Sequence, residues 1–246
     1  MRRKSLWVAA SLVLAVVGLL PVFSSGAAPV SGYKVIYSFA GGASDGEFPG
    51  SDLTFDAAGN LYGTTEAGGP GNCTDGCGTV FELKPSGQGW TEQVLYSFAS
   101  YADGSYLTTG VILDASANLY GTAGGGGYSD GIVFKLSPNL QGGWTKSTIY
   151  SFNCQTGPCG PNTDLVFDAH GDLFGTTSVG GNSTCPNGCG AVFELIPQSN
   201  GSWKESTVYE FSGPPDGENP STAESNQREQ SALPVAIFAR KDLHVL

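Results

Sequence analysis

Asp56-Ala57-Ala58-Gly59-Asn60-Leu61-Tyr62-Gly63-Thr64 is the stretch that decides how this chain folds, because it occurs three times. The second copy is Asp114-Ala115-Ser116-Ala117-Asn118-Leu119-Tyr120-Gly121-Thr122. The third is Asp168-Ala169-His170-Gly171-Asp172-Leu173-Phe174-Gly175-Thr176. Working outward, a glycine-rich loop follows each copy, then Gly-Thr-Val-Phe-Glu-Leu at 78–83, Gly-Ile-Val-Phe-Lys-Leu at 131–136 or Gly-Ala-Val-Phe-Glu-Leu at 190–195. A tryptophan (Trp90, Trp144, Trp203) opens the last run of each unit, which ends on Tyr96-Ser97-Phe98, Tyr150-Ser151-Phe152 or Tyr209-Glu210-Phe211. With the earlier Tyr37-Ser38-Phe39, these tyrosines are spaced 59, 54 and 59 residues apart. A fixed period of this length marks a repeat architecture.

The variation sits in one loop. Gly63 to Gly78 and Gly175 to Gly190 each span 15 residues, whereas Gly121 to Gly131 spans 10. Insertions confined to a loop are what a stacked or radial repeat tolerates. Within a unit, 53–56 and 60–65 flank a turn cluster, 79–84 is bounded by Gly78 and Pro85, and 91–98 alternates apolar and polar residues. These are four short strands. Four strands per repeat predict an all-β, propeller-like array of three blades at about 51–98, 109–152 and 163–211. A β-solenoid, whose coils are shorter, is the alternative. Residues 33–39 are then a spare strand ahead of the first blade, and three blades make an incomplete ring, since closed propellers carry about four to eight.

Residues 1–27 are expected to be a signal peptide: Arg2, Arg3 and Lys4, an apolar run from Leu6 to Phe23, then Ser25-Gly26-Ala27. An uncleaved segment here would be the chain's one route to a membrane. The formal net charge is −11 with 22 acidic residues. Such a chain repels a phosphate backbone, so nucleic acid is not an expected partner. Asp216-Gly217-Glu218-Asn219-Pro220 repeats the opening Asp45-Gly46-Glu47-Phe48-Pro49, after which the pattern stops. Residues 221–246 are expected to be an irregular tail from a truncated or shifted reading frame.

Six cysteines in an exported chain are read as disulfides. Cys73/Cys77 and Cys185/Cys189 lie in the two long loops, and the short middle loop lacks both the extra residues and the pair. Each long loop is therefore expected to carry its own staple, with Cys154/Cys159 as a third. A four-thiolate zinc site from the two loops is the competing reading.

Asp56, Asp114 and Asp168 precede hairpin turns, where a carboxylate accepts backbone N–H bonds. Their alternative role is as calcium ligands with the neighbouring Asn or Asp, but no unit has the full spacing of a calcium loop. The Asp45-Gly46, Asp103-Gly104 and Asp216-Gly217 pairs read in the same way. His170 stands where other units have Ala58 and Ser116, so a catalytic base is not expected there. Glu82 and Glu194 are the paired carboxylates that glycoside chemistry would need. Period-2 placement puts them on solvent-facing strand positions, and the second unit has a lysine, Lys135, at the equivalent position. Trp90, Trp144 and Trp203 are expected either to pack between blades or to form a platform for sugars.

The strings at 56–65, 78–81 and 94–98 together resemble the GloVer tandem-repeat family, bacterial extracellular proteins also described as choice-of-anchor repeat proteins. The resemblance covers about 33–220. It implies export, a propeller-like β fold and a C-terminal surface anchor, though no anchor is visible here. It implies no established enzymatic activity or substrate, and no cofactor is expected apart from the calcium alternative at the turn aspartates. The expected function is a secreted or cell-surface, non-enzymatic scaffold or interaction module, with loops 66–77 and 178–189 contacting an extracellular macromolecule. A carbohydrate-binding module using the tryptophans or the loop aromatics Tyr101, Tyr106 and Tyr128 is the alternative. A polysaccharide-cleaving enzyme is the third reading.

Overall fold

The computed structural model describes residues 34–220 apart from 88, 128, 129, 182 and 183. The expected signal peptide, the tail and Tyr128 lie outside the described residues. Fourteen strands form three antiparallel sheets, and no α-helix occurs among the described residues.

Sheet 1 comprises β1 (Gly46–Pro49), β2 (Thr54–Phe55), β3 (Leu61–Gly68), β4 (Thr79–Ser86) and β5 (Gly89–Ser97). Its innermost position is shared: β1 pairs with the second half of β3 and β2 with the first half. Sheet 2 is β6 (Val111–Leu113), β7 (Leu119–Ala123), β8 (Ile132–Pro138) and β9 (Trp144–Ser151). A Ser105–Gly125 bridge stands in place of β1 there. Sheet 3 repeats the first pattern with β10 (Cys159–Pro161), β11 (Val166–Phe167), β12 (Leu173–Val179), β13 (Ala191–Pro197) and β14 (Trp203–Glu210). None of the sheets closes on itself, and together they form an incomplete propeller-like array.

Each outer pair carries the same register shift, at Val80/Phe81, Val133/Phe134 and Val192/Phe193. An extra residue in one strand bends it and increases its twist. A bulge repeated at one register is a property of the unit.

Period-2 alternation gives every sheet two apolar faces. The rear face bears Leu61, Phe81 and Leu83 in sheet 1, Leu119, Phe134 and Leu136 in sheet 2, and Leu173, Phe193 and Leu195 in sheet 3, all at most 4% exposed. The front face bears Tyr62 and Val80, or Tyr120 and Val133, and packs on the next rear face. Phe98 and Phe152 complete these junctions with edge-to-face contacts to Phe134 and Phe193 at 5.2 and 5.1 Å. Polar contacts pin the junctions laterally: the Thr64 hydroxyl donates to the Thr109 carbonyl at 2.6 Å, and Thr122 to Thr163 at 3.3 Å. The expected spare strand is not paired in a ladder over its described part. Instead Phe39 sits 4.8 Å from Phe81 on the rear of sheet 1, the seat that Phe98 and Phe152 take on later sheets.

Candidate functional site

The repeated Asp-Gly pairs are clamps on the Tyr-Ser-Phe landmarks. Asp103 accepts the Tyr96 hydroxyl at 2.9 Å and the Ala99 N–H at 3.0 Å. Asp45 does the same for Tyr37 and Ala40, and Asp216 for Tyr209 and Ser212. The third unit has Gly157-Pro158 at this register and so lacks the carboxylate, and its loop is closed by the Cys154–Cys159 disulfide. The other two disulfides are Cys73–Cys77 and Cys185–Cys189, each inside one long loop. Cα separations of 5.0, 5.1 and 5.2 Å are ordinary for the bond. All six cysteines are paired, so the thiolate zinc reading is corrected. Three disulfides fit an oxidising compartment. No helix among the described residues is long and apolar enough to cross a membrane.

At the hairpin turns, Asp114 accepts N–H groups of Ser116 and Asn118 on one oxygen, at 2.8 and 2.9 Å. Its other oxygen accepts the Asn118 side chain at 2.7 Å and the Tyr120 hydroxyl at 3.1 Å. Asp56 makes the same three bonds with Ala58 and Asn60, while the Tyr62 hydroxyl, at 3.1 Å, lies closer to Glu82. At Asp114, four neutral donors use up the lone-pair positions that a calcium ion would need. Burial opposes ionisation of Asp114, but these donors outweigh it and hold the carboxyl below its usual range. The third turn differs. Asp172 and Phe174 replace Asn and Tyr, and Asp168 instead holds the His170 imidazole at 3.0 Å. Ligand atoms of Asp168, His170 and Asp172 lie within 4.8 Å of one another, in a turn whose His170 side chain is 83% exposed.

Trp90, Trp144 and Trp203 are half-buried and pack against the sheet-face clusters, Trp203 lying 6.2 Å from Tyr120. Glu82 corrects the expected solvent position. It is 4% exposed and accepts the Tyr62 hydroxyl at 2.8 Å, because the front face of sheet 1 is covered by sheet 2. Glu194, on the front face of sheet 3, is only half-buried. Sequence reading passed over Asp164. Burial pushes its carboxyl up, the Gly110 N–H at 2.6 Å pulls it back, and the neighbouring Asp52 charge raises it further.

The residues that sequence reading only partly named gather at the inner-strand end of sheets 1 and 2. Here Phe48, Glu66, Thr74, Asp75, Tyr101 and Tyr106 line a cavity of about 520 Å³, with Ser105 in its wall. Phe48, Tyr101 and Tyr106 are 61%, 46% and 55% exposed. The two tyrosine rings lie 6.3 Å apart, tilted by 38°. Phe48 and Tyr106 both have φ of 57°. Gly160 and Asn219 occupy the same register with φ of 65° and 50°, so the kink belongs to the repeat. Asparagine accommodates the left-handed region readily. A bulky aromatic there is an outlier costing on the order of 1–3 kcal/mol. The surroundings hold the kink in place: Glu47 and Pro49 pair with Ala67 and Thr65, and the Tyr106 carbonyl accepts the Gly124 N–H at 3.2 Å. The 66–77 loop, fixed by the Cys73–Cys77 disulfide, forms the opposite wall.

Three serial sheets built from one recurring unit define an all-β repeat protein. The chain belongs to a particular family of these, the Gloeobacter/Verrucomicrobia repeat, whose model matches residues 24–232. No curated protein matches the chain.

Proposed function

We propose that this is an extracellular, non-enzymatic interaction module, and that its contact face is the cavity bounded by Phe48, Tyr101, Tyr106 and the 66–77 loop. The observation that carries the reading is the choice of residue at the inner-strand kink. Two of the four kinked positions hold exposed aromatics, where the glycine or asparagine found at the other two, Gly160 and Asn219, costs less. Backbone strain retained under an exposed aromatic is characteristic of ligand-contacting surfaces. Side chains with large, rigid contact area and little entropy to lose are the anchors of binding faces. The disulfides support export, as do the basic start and apolar run at 1–27.

The test is retention on the surface and matrix fraction of the producing cells. The wild-type protein is expected to sediment with that fraction. Tyr106→Asn and Phe48→Asn are expected to remain in solution while melting no lower than wild type, since asparagine fits the kink. Retention unaffected by both substitutions would remove this face from consideration.

A further inference from the structure

We infer that the Phe48/Tyr101/Tyr106 cavity takes an uncharged glycan chain, stacked on its aromatic rings and held by hydroxyl bonds to Glu66 and Asp75. The inference rests on the reading of this cavity as the contact face and names the chemistry that the face selects. A sugar ring has an apolar C–H face and a rim of hydroxyl groups, so its receptor needs flat apolar surfaces beside strong polar groups. The cavity offers both. Tyr101 and Tyr106, 6.3 Å apart at 38°, form a shallow trough rather than a closed stack, and Phe48 provides a further ring beside them. All three are about half exposed, which leaves their faces available.

The polar half is supplied by carboxylates. Glu66 and Asp75 are exposed, and neither side chain is engaged in a hydrogen bond or ion pair among the described residues. An ionised carboxylate is an acceptor only, and bonds from sugar hydroxyls to it are charge-assisted and short. Asp75 sits on a left-handed turn with φ of 61°, next to Gly76 with φ of 85°. The Cys73–Cys77 bridge fixes that turn, so the acceptor is placed before a ligand arrives. Ser105 lines the same wall, 3% exposed, and its hydroxyl has no partner. A buried hydroxyl without a partner costs free energy that a polar ligand can recover.

The same groups exclude other ligand classes. Two unpaired carboxylates in a chain of net charge −11 repel uronates, sulfated glycans and nucleic acid alike. A cavity of about 520 Å³ lies in the range for small ligands.

The experiment is calorimetric titration of the full chain with gluco-, xylo-, manno- and chito-oligosaccharides, beside polygalacturonate and heparin fragments. Binding of at least one neutral oligosaccharide is expected. Tyr101→Ala and Tyr106→Asn should each weaken it tenfold or more, and Glu66→Gln by threefold to tenfold, with unchanged melting temperatures. Binding of charged glycans alone, or neutral binding indifferent to these substitutions, would overturn the inference. Failure to bind any neutral glycan would overturn it too. Surface fractions treated with periodate or with protease separate this from the broader reading. If Tyr106→Asn still abolishes retention on periodate-treated material, the face survives and the glycan does not. If Tyr106→Asn changes neither retention nor titration, both readings fall.

Discussion

Sheet 2 and sheet 3 are built from the same unit, yet one has a neighbour on both faces and the other on its rear face alone among the described residues. In sheet 2 the front residues Tyr120 and Val133 are 4% and 0% exposed. In sheet 3 the corresponding Phe174 is half-buried, and Val192, which packs on Phe211, is 5% exposed. On the outer strand Val208 is 53% exposed, against 8% for its equivalent Leu95 in sheet 1, and Tyr209 is 47% exposed where its equivalent Tyr96 is half-buried. The threonine ladder shows the same contrast. Thr64 and Thr122 donate across a junction, whereas the Thr176 hydroxyl is buried and has no partner. The strand pattern within a sheet is therefore a property of the unit, whereas the burial of its front face depends on the neighbouring sheet.

The largest expected effect comes from breaking a covered junction. Phe134 is 0% exposed and receives Phe98 edge-on, so Phe134→Ala should cost about 3–5 kcal/mol. Val208→Ala, at the same tier of the uncovered face, should stay within about 0.5 kcal/mol. Urea unfolding of the two variants measures the contrast directly. A comparable loss in both would mean that the front of sheet 3 is covered.

The rear junctions of sheets 1 and 2 differ in the sign of one charged residue. Lys146 of sheet 2 reaches back to Asp103 at 2.8 Å, whereas sheet 1 has Glu92 at that tier, facing Asp45. Burial, and then the Asp45 charge, push the Glu92 carboxyl up to about 7. One of its oxygens is buried without a partner. A folded-state pKa above the unfolded one contributes stability that is complete below about 4.3 and is lost as pH rises through about 7. The protein should therefore lose stability between these values, and Glu92→Gln should flatten that slope in thermal scans. Glu92→Lys should raise stability by about 1.5–3 kcal/mol at neutral pH, by giving Asp45 the charged donor that Asp103 already has.

The smallest contrast lies in the turns. Asp114→Ala strands four donors and should cost about 1–2 kcal/mol, more than Asp168→Ala, whose turn lacks the Asn and Tyr donors. Because the donors hold the Asp114 carboxyl below its usual range, its contribution is present above about pH 3.9 and is lost as the solution becomes more acidic. Equal losses for the two variants in denaturation at pH 7 would show that the Asn and Tyr donors contribute nothing.

Much of the fold was legible in the residues alone. Repetition identified the strands, the hairpin turns at Asp56, Asp114 and Asp168, and the loop that carries each cysteine pair, because these features are local and occur three times. Glu82 shows where local reading ends. Alternation gives a side chain a face, but only a packed neighbour decides whether that face meets water. Phe48 shows the other limit. Its left-handed backbone and its approach to Tyr106, 58 positions along the chain, depend on how the inner strands of two units are set side by side. The unit, its period and its cysteine pairs could be read along the chain, since each is set by residues close in sequence or by their recurrence. The tertiary structure decided which carboxylates are buried and which aromatics converge on one cavity, because burial and convergence are made between repeats.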